Sequence, residues 1–280
     1  MPATPSSLEE PYRARALPPA SSRHFSWLFA APEARDPLLG VYALLAEWRA
    51  LMDPAVETSA AHIKLAWWRE EIERLARGVP LHPIGRYLAA LPRAGCVDFS
   101  SLEATIEAAA RQIAGAPLEH AADLEAHGAA LAAVPLGLAA RLAREPSADR
   151  IVAGAVERAT GALAAADYLA DALADYRRAA RCGRVIFPVD ELLAARIEDA
   201  DLIAAEPPGH LRAYLDGLRL RAMGLYSAAG SLPAAERGSL RHLAVLAALG
   251  ARRVGKRTRG ALGLADLYLA WSAARRGAAS

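Results

Sequence analysis

Lysine is nearly missing from this 280-residue chain: Lys64 and Lys256 are its only two, so almost every cation is an arginine. With alanine so abundant, the pattern fits a coding bias better than selection for guanidinium chemistry, and arginine abundance by itself is not read as function. Cysteine is scarce too. Cys96 and Cys182 stand apart, with no CxxC and few histidines nearby, which argues against a disulfide framework or structural zinc and fits a reducing compartment. Only 6% of residues are aromatic although 54% are apolar, because alanine, the strongest helix former, supplies the apolar content. No Asn-Gly or Asp-Gly sits between alternating apolar runs, so no hairpin is announced and almost no sheet is expected.

Long hydrophobic runs are also lacking. The first twenty residues carry Pro2, Pro5, Pro11, Pro18 and Pro19 and no apolar stretch of the kind a secretory signal needs, so residues 1–20 are expected to form a flexible tail. The longest uncharged stretch, His127 to Ala140, is interrupted by Pro135 and is shorter than the ~18 residues that suggest a membrane span; a soluble, cytoplasmic protein is expected. A formal net charge of +2 gives no general reason for a nucleic-acid partner. His62, His82, His120, His127, His210 and His242 show no HExxH or other ligand spacing. No GxSxG, P-loop or βαβ-type GxGxxG is present, so Ser/His/Asp hydrolysis and nucleotide cradling have no support.

What is there reads as helix. Segments at about 36–53, 58–77, 101–114, 118–143, 148–178, 208–228, 233–255 and 260–276 follow one another with short Pro or Gly breaks and no linker, giving one all-α domain over 21–280. In the second segment Ile63, Trp67, Trp68, Ile72 and Leu75 are expected to form the buried stripe, with Arg69, Glu70, Glu71, Glu73, Arg74 and Arg77 facing water. The segment at 148–178 is alanine-rich on several faces, which places it centrally.

That segment carries the most informative spacing. Asp167, Asp171 and Asp175 stand at i, i+4 and i+8, so they share one helix face. Three aligned acids call for cations: either Mg²⁺, which takes hard oxygen ligands and completes its shell with substrate phosphates, or simply Arg177, Arg178 and Arg181 along a solvated stripe. An arginine just beyond the acids, at Arg181 or Arg184, is suited to grip a phosphate. Asp190 lies where the N-cap of a further helix could fall.

The acidic helix followed by Gly183-Arg184-Val185-Ile186-Phe187-Pro188 resembles the second aspartate-rich motif of squalene and phytoene synthases, with Asp167 in place of the usual Asn. Tyr42-Ala43-Leu44 with Ala46-Glu47-Trp48 is similar to that family's YAF-x-R-E stretch. Lys64-Leu65-Ala66-Trp67-Trp68-Arg69-Glu70-Glu71-Ile72 matches its next helix, and His82-Pro83-Ile84 continues the likeness. The resemblance runs over about residues 21–195, with a weaker basic helix at Arg252, Arg253 and Lys256. It implies an isoprenoid-synthase-type helical bundle around a central cavity. It also implies Mg²⁺ held by Asp167, Asp171, Asp175 and Asp53, and an isoprenyl diphosphate or lipid gripped by Arg184, Arg181, Arg49 and Tyr42.

The departures are as informative. The first motif, D-D-x-x-D in the family, falls on Arg49-Ala50-Leu51-Met52-Asp53, so Asp53 alone remains, and Arg49 is expected to pair with it along the helix. Ala46 replaces the family's arginine, His24 a serine, and His127 a tyrosine. About four extra residues separate Asp175 from Gly183; the register that keeps all three acids is preferred, while the other would set Asp171, Asp175 and Ala179 at the motif positions. The resemblance therefore implies Mg²⁺ through the second motif only, and impaired or absent head-to-head prenyl transfer, with an active Mg²⁺-dependent prenyltransferase as the alternative. The chain is also similar to the squalene/phytoene-synthase-like assembly factors of respiratory complex I, through the WWREE-like helix and Leu264 to Trp271 with Ala273-Ala274-Arg275-Arg276. That likeness implies a protein partner at the membrane and a location peripheral to the inner membrane.

Overall fold

The computed structural model describes residues 8–143, 150–256 and 261–278. The described residues are 76% helical, and no strand occurs among them, as the alanine-rich composition requires. The helices are α1 (Glu10–Ala16), α2 (Ser22–Leu28), α3 (Pro32–Leu51), α4 (Thr58–Ala76), α5 (Pro83–Ala89), α6 (Glu103–Ile113), α7 (Ala121–Ala143), α8 (Arg150–Arg181), α9 (Val189–Ala194), α10 (Asp199–Ile203), α11 (Gly209–Ala229), α12 (Ala234–Arg237), α13 (Arg241–Lys256) and α14 (Leu264–Ala278). The long α8 packs against α7, α11 and α13, and α3 closes the far side against α7. This is the central position expected for the 148–178 segment, whose residues 148–149 lie outside the described ones. Among the described residues α7 alone is long and apolar enough to cross a membrane. It is a core helix here, with Leu124, Leu131, Leu136 and Leu138 buried.

Four expectations are corrected. The Pro-rich start is not wholly a tail: residues 1–7 lie outside the described ones, but Leu8, Ala16 and Leu17 are buried in the main core and α1 packs on α3. Pro11 sits in the first turn of α1, where its missing N–H costs nothing. On α4 the buried stripe is Ala61, Leu65, Trp68, Ile72 and Leu75, while Ile63 is 72% exposed and Trp67 40%. Glu71 is buried rather than solvated: its carboxylate accepts from the backbone N–H of Leu81 and His82 and from Arg74, tying the α4–α5 turn to the helix. Finally, Asp190 lies in the first turn of α9, whose N-cap is Pro188.

The exit from α8 positions the segment beyond it. Gly183 adopts φ +70; the Arg184 N–H reaches the Ala179 carbonyl at 3.0 Å and the Gly183 N–H reaches Ala180 at 2.9 Å, a helix end that favours glycine at the left-handed position. The chain then turns back so that Val189 and Asp190 donate to the carbonyls of Leu118 and Glu119. Arg184, Val185 and Ile186 thereby become cavity wall.

Candidate lipid-binding cavity

A cavity of about 300 Å³ lies between α2, α3, α6, α7, α8 and α13. One part of its wall is apolar, with Leu118, Leu131, Leu136, Ile186 and Leu246. The other carries four guanidinium groups, Arg23, Arg49, Arg178 and Arg184, and four carboxylates, Asp53, Asp167, Asp171 and Asp175. The three acids of α8 thus share the cavity face that their spacing predicts, and Tyr42, Arg49, Asp53 and Arg184 join them. Arg181 does not: it is exposed and does not line the cavity. Ala179 lines it too. A shift of four residues is little more than one helical turn, so both registers of the acidic motif present the same face inward.

The pairing is not the one that sequence spacing suggests. Arg49 does not pair with Asp53 along α3; it bonds across the cavity to Asp171 on α8. Asp53, just past the end of α3, pairs back across with Arg178 on α8. Two ion pairs of opposite polarity therefore link α3 to α8. Arg49 and Asp171 keep 55% and 36% side-chain exposure because they face cavity solvent rather than core. The proximity of Asp171 raises the Arg49 pKa further. The Asp53 carboxyl is held low, first by the Ala55 backbone N–H at 2.8 Å and then by Arg178.

Deeper in the wall the electrostatics change. Asp167 accepts a 2.7 Å hydrogen bond from the Tyr226 hydroxyl of α11. Burial pushes its pKa up to about 6, with Asp171 adding repulsion, against the Tyr226 bond, Arg49 and Arg253. The leading cause of the upward shift is desolvation rather than mutual repulsion among the acids. Tyr226 reaches it because residue 250 is glycine: a Cβ there would stand 2.3 Å from the tyrosine ring. Tyr42 is buried and shares a 2.8 Å hydrogen bond with Ser26. His127 bonds Gln112 at 3.0 Å, and burial lowers its pKa to about 4, leaving it neutral.

Sequence reasoning missed Arg23 and Tyr226. Arg23 lines the cavity from α2; its hydrogen bond among the described residues runs from Nη1 to the Tyr42 carbonyl at 3.4 Å. Burial and then the nearby Arg49 charge lower its pKa. Its place immediately before His24, where the family has a serine, was the available signal.

The donor set does not fit a magnesium cluster. Mg²⁺ asks for a near-octahedral shell of free oxygens, yet Asp171 and Asp53 are each taken by an arginine and Asp167 by a tyrosine hydroxyl. Among the described residues no group of three or more His, Cys, Asp or Glu is arranged to hold a metal ion.

Comparison with curated proteins returns no match. Solved structures share the fold, two of them as follows. A dehydrosqualene synthase in complex with ligand matches with a TM-score of 0.66 at 15% identity, over 92% of this chain and 90% of that one. The squalene synthase HpnC from Alicyclobacillus acidocaldarius matches at 0.58 and 21%, over 91% and 88%. The squalene/phytoene synthase profile matches residues 18–272, and this chain belongs to that family.

Proposed function

We propose that this protein is a family member that binds a prenyl diphosphate or related lipid in its cavity but has lost efficient head-to-head prenyl transfer. The crossed ion pairs carry the reading: Arg49 and Arg178 occupy the carboxylates that would have to hold Mg²⁺. Leaving-group departure from a diphosphate needs concentrated positive charge aimed at the oxygens where negative charge grows. A guanidinium grips phosphate but spreads its charge over a plane, so binding survives better than catalysis. The cavity size supports the same reading. About 300 Å³ is at the small end of ligand pockets and suits one apolar chain better than the two that head-to-head coupling must align.

The test incubates the protein with farnesyl or geranylgeranyl diphosphate and Mg²⁺ and follows pyrophosphate and hydrocarbon together. Little or no turnover is expected, with activity appearing in Arg49→Asp/Ala50→Asp. Turnover near ~1 s⁻¹, within the ordinary enzymatic range, would make it an active synthase instead.

A role through a partner at a membrane has separate support. On α14, Leu264, Tyr268 and Trp271 are exposed at i, i+4 and i+7, and the stripe ends in Arg275, which stacks over Trp271, and Arg276. Aromatic residues beside arginine suit a headgroup layer. Flotation with anionic vesicles, lost in Leu264→Glu/Tyr268→Glu, is the expected result.

A further inference from the structure

We infer that the cavity selects a single-chain amphiphile with one anionic head, a phosphate monoester or a carboxylate, and grips that head with Arg23 and Arg49 without any metal ion. The inference rests on the reading above and adds the ligand class and the residues that recognise it.

Arg23 lines the cavity with donors to spare. A guanidinium carries five N–H donors, and this one spends a donor on a long bond to the Tyr42 carbonyl. No carboxylate is bonded to it among the described residues, although Asp167 and Asp171 lie close enough to act on its charge. A cation so placed is costly unless something pairs with it. Arg49 makes the cost larger, since the two arginines repel each other. Asp171 is bonded to Arg49, and Asp167 is engaged by Tyr226. Arg23 therefore keeps donors open to the cavity beside a second guanidinium, and an anion placed between the two would take them up and offset their mutual repulsion.

The number of charges follows from the whole wall. Four arginines face four aspartates, so the site as built is close to neutral. A single anionic head matches the open donors of Arg23 beside Arg49. A diphosphate brings more negative charge than the site can balance without added cations, and the carboxylates that would recruit those cations are already paired. Planar guanidinium groups suit carboxylate and phosphate oxygens equally, through parallel N–H donors.

The tail is set by the remaining wall. Leu118, Leu131, Leu136, Ile186 and Leu246 offer an apolar surface. A volume of about 300 Å³ equals roughly ten water molecules at ~30 Å³ each, which accommodates one prenyl or acyl chain of moderate length.

Isothermal titration of the full-length protein tests this with four probes: farnesyl monophosphate, farnesoic acid, farnesol and farnesyl diphosphate, each in EDTA and in Mg²⁺. The two single-headed anions are expected to bind at least tenfold more tightly than farnesol, with affinities unchanged by EDTA. Whichever of the two binds more tightly identifies the head. Arg23→Gln should weaken both at least tenfold and leave farnesol unchanged, while Arg23→Lys recovers part of the loss. Thermal melting of each variant establishes that it is folded. Farnesol binding as tightly as the two single-headed anions, or no binding by any probe, would overturn the inference while leaving the loss of catalysis standing. Diphosphate binding that requires Mg²⁺ and outcompetes both of them would also overturn it. Turnover of the diphosphate would instead overturn the proposed function.

Discussion

Two stretches of the same helix face treat the same side chain in opposite ways. At the mouth of the cavity Asp171 faces solvent and is bonded to Arg49, beside the second cross-pair between Arg178 and Asp53. One turn deeper, Asp167 is half-buried, meets a neutral hydroxyl from Tyr226, and has its pKa pushed up to about 6. The mouth manages its charge with counter-charges, and the inner end with desolvation and a hydrogen bond. Spacing along a helix therefore fixes which residues share a face, while depth and partners fix what their charges do.

The inner end should be the costlier one to disturb. Gly250→Ala drives a Cβ into the Tyr226 ring at 2.3 Å. It is expected to destabilise the protein by about 3 kcal/mol, as overpacking of a tight core contact does, read as a lowered denaturation midpoint. An equal midpoint would mean that Tyr226 is not held against Asp167.

Asp167→Asn comes next and has the opposite sign. The folded-state pKa of Asp167 is raised from 3.8 to about 6, so the native state holds its proton more tightly than the unfolded chain. Stability then falls as pH rises from about 3.8 to about 6 and stays level above. At full weight this displacement is worth roughly 3 kcal/mol. An asparagine keeps an oxygen for the Tyr226 hydroxyl and removes the titration. The variant should be about 2 kcal/mol more stable than wild type at pH 7.5 and lose that advantage below pH 4; a gain equal at both pH values would contradict the cause assigned.

The mouth should show the smallest effect. Arg178→Ala breaks a pair whose side chains are 49% and 37% exposed, so a loss below about 1 kcal/mol is expected, shrinking further in high salt. A loss of 3 kcal/mol, insensitive to salt, would make the two ends alike.

The contrast also separates what the sequence could convey from what it could not. The all-α architecture was legible because alanine and leucine favour helix along the whole chain, and the cavity face of α8 because i, i+4, i+8 is a purely local relation. The partner of Arg49 was not. Spacing offers Asp53 four residues on, whereas the bond to Asp171 joins residues 122 apart in sequence. Tyr226 lies 59 residues from Asp167, and nothing local to either announces the contact. The α4 stripe was misjudged because Ile63–Trp67 and Ala61–Leu65–Trp68 both fit helical spacing, and the small Ala61 hides the inner face. In α1 the prolines concealed a helix because Pro11 lies in the first turn, where proline does no harm.

The central claim is that arginines stand on the α3–α8 carboxylates in place of metal. Thermal unfolding of the wild-type protein in EDTA and in 10 mM Mg²⁺ tests it without any substrate. A family-type site with a Kd near ~0.1 mM would be filled about a hundredfold over and would add roughly 2.7 kcal/mol, lifting the midpoint by several degrees in a chain of this size. The crossed ion pairs predict a midpoint that moves by less than about 1 °C, and a rise of about 5 °C or more, abolished in Asp171→Asn, would contradict them.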